Sequence, residues 1–330
     1  MVMPSTAITR FELGMLFSEF DAAMNRQGFI GTRALRPVPV AVQAANIGKI
    51  ELEALLRTPD DNVAPGGGYK GDDVEMASFS YATEEHGRRA AISDRLLAIF
   101  REIFDAESIH AARLVDIVAR NFEIACATLL YDTAVWTGAA LTTAWTHEVD
   151  DHTNAVPIDG IEAARQKILD GSGLAPNSLI CNRKQFWHMC NCAQVVDRLK
   201  YSGVDDPKKL NTSTILAELF GLEQVLVAGG LDNSANPGQT AVPGAIWSDE
   251  YMMLARCAMT PDPQEPCVAR AFCWSEDGPG APGADEDMAV IVEEYRAENV
   301  RGSELRARTD YDTAAMYPQA AHLISNAITI

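Results

Sequence analysis

The stretch "SELRARTDYDT" (303–313) alternates without a break. Glu304, Arg306, Arg308, Asp310 and Asp312 fall on one side of an extended chain, and Leu305, Ala307, Thr309 and Tyr311 on the other. A period of two predicts a strand. Roughly ten such residues span about 33 Å, and a partner at "VIVEEYRAENV" (290–300), joined through 299–302, makes a ribbon longer than one small core covers. The apolar side is expected to rest on a helix and the charged side to face outward. Exposed ion pairs contribute only ~0–1 kcal/mol each. The expected use of the charged row is therefore in register and partner choice, at contacts with neighbouring molecules.

The helix to receive the apolar side is predicted from residue 105 to about 136, where Val115, Val118, Phe122, Ala125, Leu129 and Trp136 recur at three- and four-residue steps. Asp105 or Ser108 can cap its start and Gly138 stops it, for a length of about 45 Å. Upstream, "KIELEALL" (49–56) and "VEMASFSYATEE" (74–85) flank "RTPDDNVAPGGGYKGDD", a glycine-rich tip carrying Tyr69 and Lys70. Two strands and a long loop have too little core to stand alone, so they are expected to lie on an adjacent subunit. Residues 1–47 read as an extended arm. From about 158 the texture changes to compact alternating units, with helices at "GIEAARQKILDGSG", "KQFWHMCNCAQVVDRLKYS" and "STILAELFG" and strands at "NSLICN" and "EQVLVAGG". That is an α/β layer. Further strands are expected within "AIWSDEYMMLARCAM" and "VARAFCWSED".

Composition narrows the function. With 46 acidic against 27 basic side chains the formal net charge is −19, which argues against a surface that neutralises phosphates or an anionic membrane. A 47% hydrophobic content supports a sizeable core. The seven cysteines lack framework spacing and several sit in apolar runs, as buried thiols do in a reducing compartment. No apolar run approaches the ~20 residues of a membrane span, and no signal peptide is evident.

Chemistry is sparse. "GGGYKG" and "GSGLAP" lack the spacing of a phosphate loop or a dinucleotide fingerprint. "DEDM" is too short for a calcium loop. His188 with Cys190, Cys192 and Cys181 is the sharpest metal candidate, yet no paired C-x-x-C ligands occur and buried thiols are the expected reading. "EVDDH" (148–152) offers an acid and a base without a nucleophile. Lys70 invites a covalent link to another chain, but spacing identifies no partner, so a solvated lysine is expected. No catalytic, cofactor or metal site is assigned.

The order of the elements resembles that of the major capsid proteins of tailed bacteriophages, the HK-97-like or Johnson fold: arm, two-stranded loop, spine helix, α/β layer, charged ribbon. "YATEEHGRRAAISD" followed by "FEIACATLLYDTAVW" looks like the passage from extended loop to spine helix in that family. "APNSLICNRKQFWHMCNCAQVVDRLKYS" and "TILAELFGLEQVLVAGG" resemble its axial domain, and "VEEYRAENVRGSELRARTDYD" its peripheral ribbon. The resemblance runs from about residue 40 to the end. It implies an α+β chain with an arm (1–48), an extended loop (49–85), a peripheral domain with the spine helix (86–150), an axial domain (151–286) and a ribbon with a C-terminal segment (287–330).

It further implies a non-enzymatic shell protein of the virion capsid, assembled in the host bacterial cytoplasm. Its partners would be copies of itself in hexamers and pentamers, a separate scaffolding protein, a portal and a decoration protein, around DNA that it does not specifically recognise. The short arm, with Met1 at its start, makes maturation by removal of a scaffolding segment unexpected. Tyr69, Lys70, Glu304, Arg306, Arg308 and Asp310 are the expected inter-subunit contacts. An encapsulin-like nanocompartment shell is the alternative, and an enzyme or metal-binding protein a third class.

Overall fold

The computed structural model describes residues 8–9, 28–51, 56–58, 60–63, 65–71, 76–100, 106–141, 144–145, 151–201, 213–236, 238–274 and 290–328. The first half of the chain forms β1 (Ile8–Thr9), α1 (Gly31–Ala34), β2 (Pro37–Val40), β3 (Ala44–Ile50), β4 (Met76–Ala82), β5 (Glu84–Ser93), α2 (Asp94–Phe100), α3 (Ala106–Leu130) and β6 (Gly138–Ala140). Next come α4 (Asp151–Asn154), α5 (Pro157–Ser172), β7 (Ser178–Asn182), α6 (Arg183–Asn191), α7 (Ala193–Tyr201), α8 (Ser213–Phe220) and β8 (Gln224–Ala228). The last part holds β9 (Leu231–Asn233), β10 (Pro243–Ala245), β11 (Met252–Ala255), β12 (Ala269–Trp274), β13 (Ile291–Ala297), β14 (Gly302–Ala315) and β15 (Ala321–Ser325).

The alternating stretch is β14, and it is central rather than marginal. One edge pairs antiparallel with β5 from Gly302 to Tyr311; the other pairs first with β13 and then, from Asp310 to Ala315, with β12. β1 and β2 extend the same sheet beyond β13 and β12. At Gly302 a Cβ would stand 2.0 Å from the Ile92 carbonyl oxygen, so only glycine lets β5 approach there. On one sheet face Leu305, Ala307 and Tyr311 pack with Leu114, Val115, Val118, Phe122 and Cys126 of α3, and the Phe122 ring meets Tyr311 edge-on at 5.1 Å. The apolar side of the strand rests on the long helix, as its alternation predicts.

α3 starts where the sequence places it and stops earlier. Its helical hydrogen bonding ends at Leu130, and Asp132 takes over: its carboxylate accepts from the Ala134 N–H at 2.8 Å and its carbonyl from the Trp136 N–H at 3.1 Å. The Trp136 indole then donates to the Leu129 carbonyl at 2.7 Å, satisfying an orphaned helix-end acceptor. Trp136 belongs to the cap, not the helix, so 25 residues give about 37 Å.

The α/β layer forms as read, around a five-stranded sheet ordered β6-β15-β11-β7-β8. Every residue of β7 and β11 is buried, which fits strands covered on both faces. α5 begins at Pro157 and ends at Gly173, whose φ of 68° is the left-handed cap. Met189, Val195, Leu199, Leu216 and Phe220 from α6, α7 and α8 complete this core. β15 completes the sheet from the far end of the chain; its alternation is too short to stand out in the sequence.

The two-stranded loop is present with shifted bounds: β3 pairs with β4 from Ala44↔Ala82 to Ile50↔Met76. The first strand thus lies mostly before "KIELEALL", whose residues 52–55 fall outside the described ones. Ala45, Ile47, Phe79 and Tyr81 share one face, and that face packs on its own chain. Tyr81 stacks on Phe272 at 4.7 Å and Phe79 meets the same ring at 5.7 Å. The base of the loop is therefore anchored within the subunit, because β12 and the 316–317 segment offer it an apolar seat.

Candidate inter-subunit surfaces

The charged face of β14 does not stand out in solvent as expected. Glu304, Arg308 and Asp310 are each 4–5% exposed. A strand flanked on both edges meets a cross-strand neighbour at nearly every position, and here the neighbours complement it. Glu293, directly opposite Arg306 on β13, accepts from Arg306 Nε at 3.0 Å and from Arg308 Nε at 3.1 Å. Arg308 also reaches Asp310 at 3.6 Å, and Arg89 of β5 pairs with Glu304 at 2.9 Å. Arg89 and Arg306 are directly opposite in register, a like-charge pair that Glu304 and Glu293 offset. Burial pushes the Glu293 carboxyl up; the hydrogen bonds and charges of Arg306 and Arg308 outweigh it and hold that carboxyl below the ordinary range. The alternation identified the row, but Glu293 and Arg89, which complete it, lie in other segments. What remains accessible is the rim: the side chains of Arg89 and Arg306 are 73% and 41% exposed.

The loop tip has the opposite character. Leu56, Val63 and Tyr69 are exposed, Tyr69 by 94%. Lys70 is half exposed and holds Asp60 Oδ2 at 2.6 Å, and that contact with the Asn62 N–H lowers the Asp60 carboxyl. The lysine has an ionic partner ten residues away that sequence spacing did not suggest.

A third feature was missed altogether. Glu123, on α3, is 2% exposed and accepts three hydrogen bonds: from the N–H of Ile30 at 2.9 Å, the N–H of Gly31 at 2.7 Å and the Trp247 indole at 2.7 Å. It ties the segment entering α1 and the loop before β11 to the long helix. Burial raises its carboxyl while the three donors pull the other way. On the sequence it looks like one more charge on the polar face of the helix; nothing local marks it.

The proposed metal ligands do not converge. Cys181, Cys190 and Cys192 are buried; the Cys192 thiol donates to the His188 carbonyl and the Cys181 thiol to that of Leu226. Among the described residues no group of three or more His, Cys, Asp and Glu side chains could hold a metal ion. The acid and base of "EVDDH" fall partly outside the described residues, and Asp105 and "DEDM" lie outside them. No described helix is long and apolar enough to cross a membrane.

The whole arrangement matches solved structures. A phage-related protein from Bordetella bronchiseptica RB50 superposes with a TM-score of 0.67 at 20% identity over 98% of both chains. A capsid structure of Cyanophage P-SCSP1u gives 0.60 at 10% identity, over 98% of this chain and 90% of that one. The mature capsid of bacteriophage PhiM1 gives 0.57 at 12% identity, over 89% and 86%. The chain has the HK-97-like fold. No protein-family model and no curated protein matches the sequence. The HK-97-like fold accounts for the α+β layering: a spine helix under a ribbon sheet, an α/β layer beside it, and an extended loop.

Proposed function

We propose that this chain is the major capsid protein of a tailed bacteriophage. Copies of it build an icosahedral shell of hexamers and pentamers around double-stranded DNA, without enzymatic activity. The observation that carries the reading is the agreement in fold over 98% of the chain with a phage-related protein and a phage capsid, extended loop and ribbon included. An extended loop with exposed Leu56, Val63 and Tyr69 supports it, since such a loop gains from a neighbour's surface. Tyr69 and Lys70 at the tip, and Arg306 beside Arg89 at the ribbon rim, are the contacts assigned to that neighbour. Glu304 holds Arg89 in place, while Arg308, paired with Asp310, shares with Arg306 the carboxylate of Glu293. The net charge of −19 suits a wall that DNA does not stick to, filled by a portal-borne motor after assembly on a separate scaffolding protein in the host cytoplasm.

Electron microscopy of the protein co-expressed with the neighbouring genes of its source tests this. Closed shells with five-fold vertices that take up DNA through a portal are expected. A uniformly monomeric protein would overturn the shell reading, and shells that enclose a protein cargo in place of DNA would make it a nanocompartment.

A further inference from the structure

His152 and His188 are 36 positions apart, and α4 and α6 bring their rings together. The Nε2 of His152 lies 3.0 Å from the Nδ1 of His188, with ring centroids 5.3 Å apart and planes inclined at 34°. Both residues are partly accessible. Trp187, 54% exposed, sets its ring edge-on to both imidazoles, at 4.7 Å from His188 and 6.0 Å from His152. Neither imidazole belongs to an apolar core cluster.

An ion of the zinc class binds imidazole nitrogen at about 2.0–2.1 Å, and two such bonds at roughly 95–110° hold their nitrogens about 3.0–3.4 Å apart. The observed separation therefore suits neighbouring positions in one coordination sphere. We propose that His152 and His188 form a two-imidazole site for a divalent transition-metal ion of the zinc or nickel class. Imidazole suits these ions. On binding, the proton now between the rings moves to the far nitrogen of its own imidazole, so both facing nitrogens present lone pairs; water fills the other positions. The bound ion joins α4 to α6. The site is independent of the shell reading.

The test uses the full chain. Titration with ZnCl2 in a calorimeter should give saturable binding at one ion per chain. NiCl2, which is paramagnetic, should quench the Trp187 emission with the same stoichiometry. Trp187→Phe should remove that quenching while the zinc heat stays. His152→Gln and His188→Gln, checked by circular dichroism, should each weaken zinc binding by at least about tenfold, because either change removes chelation. Absence of saturable binding in the unaltered protein, quenching that survives Trp187→Phe, or a smaller loss in either histidine variant would overturn the site.

Discussion

Glu123 shows how much one side chain decides here. Its Oε1 accepts from Ile30 and Trp247 and its Oε2 from Gly31. Glu123→Gln keeps one acceptor but turns an amide N–H toward the Gly31 donor, leaving a buried clash of donors. The expected cost is about 1–3 kcal/mol, read as a lower denaturation midpoint with unchanged slope. Glu293 makes a second residue-scale case, with the opposite pKa direction. A carboxylate depressed in the folded state contributes stability above its unfolded pKa of about 4.3 and loses it as pH falls through the lower folded value. Glu293→Gln should therefore cost about 1–3 kcal/mol near neutral pH, where it removes the charge that Arg306 and Arg308 share, and should flatten the acid limb of the stability curve. An acid limb as steep as that of the parent would place the lost protons elsewhere. Neither glutamate was legible in the sequence as a partner. Each acts on residues more than ten positions away, and a one-dimensional pattern does not encode such pairings.

At the scale of elements, period and punctuation carried most of the fold. The alternation of residues 303–313 identified β14, the three- and four-residue apolar steps identified α3, and the compact alternating units from about 158, with a helix at "GIEAARQKILDGSG" and a strand at "NSLICN", identified the α/β layer. Failures came where tertiary contact overrode local pattern. Trp136 continued the helical period but serves as a cap, and β14 looked like a free ribbon because its second edge partner, β5, lies over 200 residues earlier. The extended loop mixes both outcomes and yields a paired prediction. Deleting residues 62–71, whose described members are all exposed, should leave a folded chain that assembles poorly. Tyr81→Ala removes a buried ring stacked on Phe272 and should lower stability by about 3 kcal/mol whether or not the chain assembles. A deletion that unfolds the chain, or a Tyr81 variant of parent stability, would show that tip and base do not divide the work in this way.

For the molecule as a whole, charge now argues in one direction. Were the β14 row an exposed strip, pairing across subunits would rest on ion pairs, and salt would weaken assembly. Its acids and bases are instead matched largely inside the chain, by Glu293 and Arg89. On the shell proposal, what one copy presents to the next is then dominated by the excess of 46 acidic over 27 basic side chains, and copies repel as they approach. Raising ionic strength from about 0.01 M to about 0.15 M shortens the screening length from about 30 Å to about 8 Å. That removes most of the repulsion between bodies in contact while leaving the buried pairs and the apolar tip residues Leu56, Val63 and Tyr69 nearly untouched. The critical concentration for assembly, followed by light scattering, should fall over this range and level off once the screening length is shorter than the spacing of surface charges. A critical concentration that rises with salt would mean attractive ion pairs dominate between subunits, and would point to Arg306 and Arg89 at the rim as their basic half.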